Sequence, residues 1–289
     1  MHELGIDEAL GPMQALASRL WSPQSRHHPG QLAWSARYAE PQVLRHGPVA
    51  VVHGRDGLDA WAWLESSDWL ELCVDPQRPE LVAELVAWAR GRTGAGPSTS
   101  VLETEHHLLS GLATAGYVET DAPWFTHHTL DLVSLRPPTV PPGYRLRAVR
   151  PGEAEARAAV HRDAWSVTSR VTTRAYERLM ATPPYRHDLD VVVEHADDGL
   201  VASCLAWLDP ATGVALVEPV GCVPEHRGRG LAGAVSLAAL AAARDAGATL
   251  GLVCPRGDDG YPVPGRVYRG LGFRPGPRTL TLAAGDPTA

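Results

Sequence analysis

Of the ten residues at 134–143, Ser-Leu-Arg-Pro-Pro-Thr-Val-Pro-Pro-Gly, four are proline. Each proline fixes its own φ and removes a backbone donor, so neither a helix interior nor a central strand can run through the segment. The stretch predicts an extended linker. It divides the 289 residues into parts of similar length, 1–133 and 144–289, and either is long enough to bury a core.

Composition narrows the classes. Apolar residues make up 44% and charged residues 20%, ordinary for a globular chain. No apolar run approaches the roughly 18–20 residues that span a bilayer. Residues 1–20 are acidic and lack the basic start of a signal peptide, so a cytoplasmic protein with no membrane partner is expected. The net charge of −7 disfavours nucleic acid. Lys and Asn are absent, and Ile and Phe are scarce. A GC-rich genome explains this better than selected chemistry, so the abundant arginine is not by itself a phosphate signal. Cys73, Cys204, Cys222 and Cys254 are widely spaced in apolar stretches, and no metal site is expected from them.

Beyond the linker, alternation and turn residues give a readable order. Strands are expected at 144–149, 189–194, 200–208, 214–223, 249–254 and 279–283. Helices are expected at 151–165, 174–180, about 231–246 and near 266–271, the third ending at Gly247. The order is β-α-α-β-β-β-α-β-α-β, an α/β (α+β) mixed sheet. The part before the linker echoes it. Leu-Glu-Leu-Cys-Val-Asp-Pro at 70–76 compares with Val-Gly-Cys-Val-Pro at 220–224, each before an amphipathic helix, and Ala-Gly-Tyr at 115–117 compares with Leu-Gly-Phe at 271–273. Two matches in order point to an old duplication.

The segment from Val220 to Ala232, Val-Gly-Cys-Val-Pro-Glu-His-Arg-Gly-Arg-Gly-Leu-Ala, reads as strand, turn and helix start. Gly228 and Gly230 permit a tight bend that bares successive amides. Those donors join the free N–H groups and positive end of the next helix, an anion site suited to a pyrophosphate, with Arg227 and Arg229 beside it. On that helix Leu231, Val235, Ala238 and Ala242 fall on one face. A nucleotide-binding loop of the Gly-Lys-Ser/Thr kind is excluded, since the chain has no lysine. Gly228-x-Gly230-x-x-Gly233 does match a dinucleotide fingerprint as a string, but no strand–helix–strand repeat surrounds it.

Arg227-x-x-Gly230-x-Ala232, preceded by Val223-Pro224, resembles the pyrophosphate motif of the GNAT acyltransferase superfamily. Val-Tyr-Arg-Gly-Leu-Gly-Phe at 267–273 resembles the segment that closes that fold. The resemblance covers about 144–282 and implies two tandem GNAT-like acyl-CoA N-acyltransferase domains, the C-terminal one intact. It implies acetyl-CoA as cosubstrate, no metal, and N-acetylation of a small-molecule amine by a monomer or homodimer. It places the pyrophosphate on Arg227, Gly228, Arg229, Gly230, Leu231 and Ala232, and the pantetheine arm on the backbone of Cys222 and Val223. Tyr268 matches the family's general acid. Glu218 is the candidate general base, since alternation puts Glu218, Val220 and Cys222 on one face, although Pro219 points to a bulge that would break it. Asp258 and Asp259 are open between binding a cationic acceptor and turning the chain. Tyr261 stands where the family often has Asn. A longer acyl-CoA, a protein amine, or a non-catalytic acyl-CoA-binding protein are the alternatives.

Residues 1–133 are expected to form a degenerate copy, because Val-Asp-Pro-Gln-Arg-Pro-Glu at 74–80 has no glycine where amides must be bared and Glu80 repels an anion. Seven of the nine tryptophans lie there, mostly as core, some as walls of an acceptor pocket. The pairs His27-His28, His106-His107 and His127-His128 lack metal-ligand spacing and are expected to be surface or incidental.

Overall fold

The computed structural model describes residues 1–38 and 46–285. Before the linker the elements are β1 (His2–Leu4), α1 (Ile6–Leu20), α2 (Pro29–Arg37), β2 (Val49–His53), β3 (Leu58–Leu64), β4 (Trp69–Val74), α3 (Leu81–Thr93), β5 (Ser98–Leu102), α4 (His106–Thr114), β6 (Tyr117–Glu119) and β7 (Thr126–Asp131). After it come β8 (Tyr144–Ala148), α5 (Ala154–Ala164), α6 (Thr173–Met180), β9 (Asp190–His195), β10 (Gly199–Asp209), β11 (Val214–Cys222), α7 (Leu231–Asp245), β12 (Leu250–Val253), α8 (Val263–Leu271) and β13 (Arg274–Ala284). The second series is the one the sequence predicts. The run β2-β3-β4-α3-β5-α4-β6 repeats its later order, as the internal echo implies.

All the described strands belong to one mixed sheet, ordered β1-β2-β3-β4-β5-β13-β7-β12-β11-β10-β9-β8, with β6 beside β13. The two parts trade strands. β7, from before the linker, pairs antiparallel with β12 from Leu250↔Asp131 to Val253↔His128. β13, from the C-terminus, pairs with β5 from Thr279↔Leu102 to Leu282↔Thr99, and its first residues pair with β7. One long strand thus serves both parts. That is why β13 begins at Arg274 rather than at the expected Thr279: Pro275 and Pro277 mask its first half in the sequence.

Helix α7 packs on one face of β9–β11, burying Leu231, Val235, Ala239, Leu240 and Ala243. The expected stripe through Ala238 and Ala242 lies at the edge of that contact, both residues being only partly buried. On the opposite face Trp207 and Leu205 meet α5 and α6 at Ala158, Tyr176 and Leu179. Under them Arg157 is paired with Asp190 at 2.8 Å, both fully buried, and Tyr176 and Tyr185 also donate to Asp190. Breaking one side of such a buried pair is strongly destabilising. Gly30 at the start of α2 lies flush on Trp207, where a Cβ would fall 2.1 Å from the Trp207 Cβ. The part before the linker therefore packs directly on the later sheet. No described helix is long and apolar enough to cross a membrane.

Candidate functional site

Strands β11 and β12 are parallel and pair only over Val214–Leu216 and Leu250–Leu252, while β11 continues on β10 as far as Cys222. Past Leu216 the β12 side of β11 has no strand neighbour among the described residues, and a wedge opens in the sheet. Within it the register slips: Val217 stands opposite Ala206 and Val220 opposite Cys204. Glu218 and Pro219 together face Leu205, a two-against-one bulge. The expectation that Glu218 shares a face with Val220 and Cys222 is therefore overturned. Val217 takes that place, and Glu218 turns to the side of Leu205 and Trp207. The Trp207 indole donates to the Glu218 carbonyl at 2.6 Å.

Glu218 is half-buried as a residue, and burial of its carboxyl pushes it from 4.5 up to about 7, with the charge of Arg26 opposing. Arg26 precedes α2 and is itself paired with Glu71 of β4, its Nη2 lying 2.9 Å from Oε1. Nothing in the sequence signals this approach of Arg26 to Glu218 across nearly two hundred positions; only the packing of α2 on Trp207 creates it.

At the wedge mouth the chain leaves β11 through a short 3₁₀ turn, Pro224–His226, and enters α7 at Leu231. The Val223 N–H is committed to the Val201 carbonyl at 3.0 Å. Val223 and Val201 thus form a hydrogen-bonded pair, so of the two residues expected to hold the pantetheine arm Val223 turns its N–H to β10, while the backbone groups of Cys222, and of Val220 in place of Val223, point away from β10 into the wedge. Gly228 and Gly230 have φ of +78° and +76°, the left-handed region that favours glycine. Among the described residues the N–H groups of Gly228, Arg229, Gly230, Leu231 and Ala232 have no acceptor, and the space at both glycines is open. The predicted loop residues are thus brought together as a row of outward amides at a helix N-terminus.

Both arginines brace this loop. Arg227 donates to the Cys222 carbonyl at 3.0 Å and the Ala164 carbonyl at 2.9 Å. Arg229 Nη1 reaches the Tyr144 hydroxyl at 2.9 Å, the Glu225 carbonyl at 3.1 Å and His226 Nδ1 at 3.1 Å. Because Arg229 can only donate, His226 Nδ1 is bare and its Nε2 proton points to Asp198 Oδ2 at 3.3 Å. His195 Nδ1 lies 2.7 Å from the same carboxylate oxygen, out of hydrogen-bond alignment. These three side chains cluster within 4.8 Å and act as a buttress behind the loop.

Tyr268, on α8, is 7% exposed, with its ring edge-on to Phe273 at 5.6 Å. Burial pushes the phenol well above its ordinary value, the charge of a Cys204 thiolate would add to this, and a hydrogen bond with Ser236 of α7 works against it. The phenol is therefore protonated and can donate. Burial likewise raises the Cys222 thiol, with Arg227 and Arg229 opposing, which favours the neutral thiol over the thiolate. Asp258 accepts from Arg256 at 2.6 Å and from the Gly260 N–H at 2.7 Å, which is a chain-turning role; Asp259 is exposed.

The histidine pairs depart from expectation: His27, His28, His127 and His128 are all buried. They lie where the two parts pack, a burial no local pattern announces.

No protein-family model matches the chain, and no curated protein matches it in sequence. Solved structures do match in fold. A GCN5-related N-acetyltransferase from Sphaerobacter thermophilus aligns over 97% of this chain and 94% of its own, with TM-score 0.62 and 18% identity. A tandem GNAT protein from the clavulanic acid biosynthesis pathway aligns over 98% of both chains, with TM-score 0.64 and 22% identity. A GNAT-family acetyltransferase from Colwellia psychrerythraea aligns over 99% and 100%, with TM-score 0.65 and 10% identity. The described chain thus has the GNAT fold, in the tandem form.

Proposed function

We propose that the chain is an acetyl-CoA-dependent N-acetyltransferase acting on the amine of a small molecule, with one coenzyme site, at the β11–α7 turn. The observation that carries this reading is the row of unpaired amides from Gly228 to Ala232 at the mouth of the strand wedge. Backbone donors at a helix N-terminus fit a pyrophosphate, and the outward backbone groups of Val220 and Cys222 fit an extended amide-bearing arm. Acetyl-CoA supplies an acyl thioester there. The chain's own residues do the rest. The wedge fixes the arm so that the acyl carbon lies within reach of the amine. Glu218 takes the amine's proton, directly or through water, and a carboxyl near pH 7 is suited to that exchange. Tyr268, which burial keeps protonated, gives its proton to the departing thiolate. With Cys222 neutral, transfer goes directly to the amine without an acyl-enzyme.

The test is release of free thiol from acetyl-CoA across a panel of small amines. Turnover with at least one amine is expected. A folded chain that binds no acyl-CoA, or binds NAD in its place, would overturn the reading; binding without turnover would leave a sensor rather than an enzyme.

A further inference from the structure

Beyond the C-terminal end of β12, on the side away from the wedge, lies a cavity of about 350 Å³ that none of the steps above uses. Both parts of the chain build it. Glu103 follows β5, Trp124 and His128 come with β7, and the β12–α8 loop and Arg269 of α8 close the other side.

Its buried anchor is His128, 2% exposed. Nδ1 lies 3.1 Å from the Thr126 carbonyl. A carbonyl can only accept, so Nδ1 carries the proton and Nε2 is a bare acceptor. That Nε2 is buried and has no partner among the described residues. Burial, and then the charge of Arg269, keep the ring neutral. Native structures rarely leave a buried acceptor unmatched.

Three arginines face three acids around it, but they do not all pair. Arg256 is matched by Asp258 at 2.6 Å. Arg278 is matched by Glu103, which accepts its backbone N–H at 3.0 Å and lies 3.5 Å from its Nε. The Arg269 guanidinium has no ion pair or hydrogen bond among the described residues, and it folds back over Gly265, where a Cβ would meet Nη1 at 3.2 Å. Asp259 is the one other acid, exposed at the rim. Trp124 gives the apolar wall: Gly257 lies flush on its ring, a Cβ there falling 1.9 Å from Cζ3, and the Arg278 guanidinium is 5.6 Å from the ring centre.

We infer that this cavity binds the carboxylate end of a small amino or hydroxy acid. The carboxylate sits against Arg269, and an N–H or O–H two or three bonds away donates to His128 Nε2. The volume suits a small metabolite, and pairing a lone guanidinium with a carboxylate is a strong, directional contact. The inference rests on this cavity and not on the coenzyme reading.

Titration of the full chain with L-serine and L-lactate, each against its methyl ester, tests it by ligand-observed NMR. Binding of at least one acid is expected, with its ester at least tenfold weaker. Arg269→Gln, on an exposed helix face and safe for folding, is expected to weaken the acid at least tenfold, and His128→Leu to weaken it severalfold. A thermal melt of His128→Leu separates lost binding from lost fold. Failure of both acids to bind, equal binding of acid and ester, or unchanged binding in Arg269→Gln would overturn the inference. Acetyl-CoA titrated into the same variants is expected to bind as in the parent, so failure here is distinct from failure of the coenzyme site.

Discussion

Two strand-to-helix junctions occupy equivalent places in the repeated order, β4 into α3 and β11 into α7, and they dispose of their amides in opposite ways. After β4, the Gln77 N–H bonds Asp75 Oδ1 at 2.9 Å. The N–H groups of Arg78, Leu81 and Val82 go to the carbonyls of Asp75, Arg78 and Pro79 at 2.8, 3.1 and 3.2 Å. Glu80, at the helix cap, has helical backbone angles and lies 2.5 Å from Arg78. The strand edge is also filled. β4 pairs with β5 only at Trp69 and Leu70, but His27 and His107 reach the carbonyls of Leu72 and Val74 at 3.0 Å each. After β11, five successive N–H groups have no acceptor among the described residues, and the wedge is open. A helix N-terminus is thus not an anion site by position alone. It becomes one where left-handed glycines keep the chain from consuming its own donors.

The largest effect that would sharpen this contrast is expected from Gly230→Val. A β-branched residue is forced out of φ +76°, the amide row turns away, and coenzyme A affinity falls ~100-fold by calorimetry while the thermal melt shifts little. An unchanged affinity would break the comparison. Next is Tyr268→Phe, expected to lower turnover at least about tenfold with coenzyme affinity preserved.

Glu218→Gln is expected to lower turnover about tenfold and to flatten the rise in rate through about pH 7. The linked stability effect has a definite sign. The folded-state pKa is raised, so the proton favours the folded state; that stability is complete below pH 4.5 and is lost as pH rises through about 7. The Gln variant is accordingly expected to gain stability relative to the parent at pH 8 but not at pH 4, read from melts at both. The smallest effect belongs to the other junction. Glu80→Gly is expected to leave coenzyme affinity within about twofold, since distant sites act independently.

The contrast between the junctions was partly legible. Gly228 and Gly230 against Pro79 and Glu80 could be read directly, because proline fixes its own φ and glycine alone takes left-handed angles freely, whatever surrounds them. The same holds for the order of elements after the linker and for the bulge at Pro219. The exchange of β7 and β13 was not legible: a strand's pattern says which face is buried, not which strand lies beside it. Nor was the burial of His27, His28 and His128, or the reach of Arg26 toward Glu218. Each depends on contacts between residues far apart in the chain.

The most direct measurement is hydrogen–deuterium exchange of the full chain with and without coenzyme A, together with calorimetric stoichiometry. One coenzyme per chain is expected, with protection gained over residues 228–232 and none over 77–82. Two coenzymes per chain, or protection at 77–82 in place of 228–232, would contradict the account.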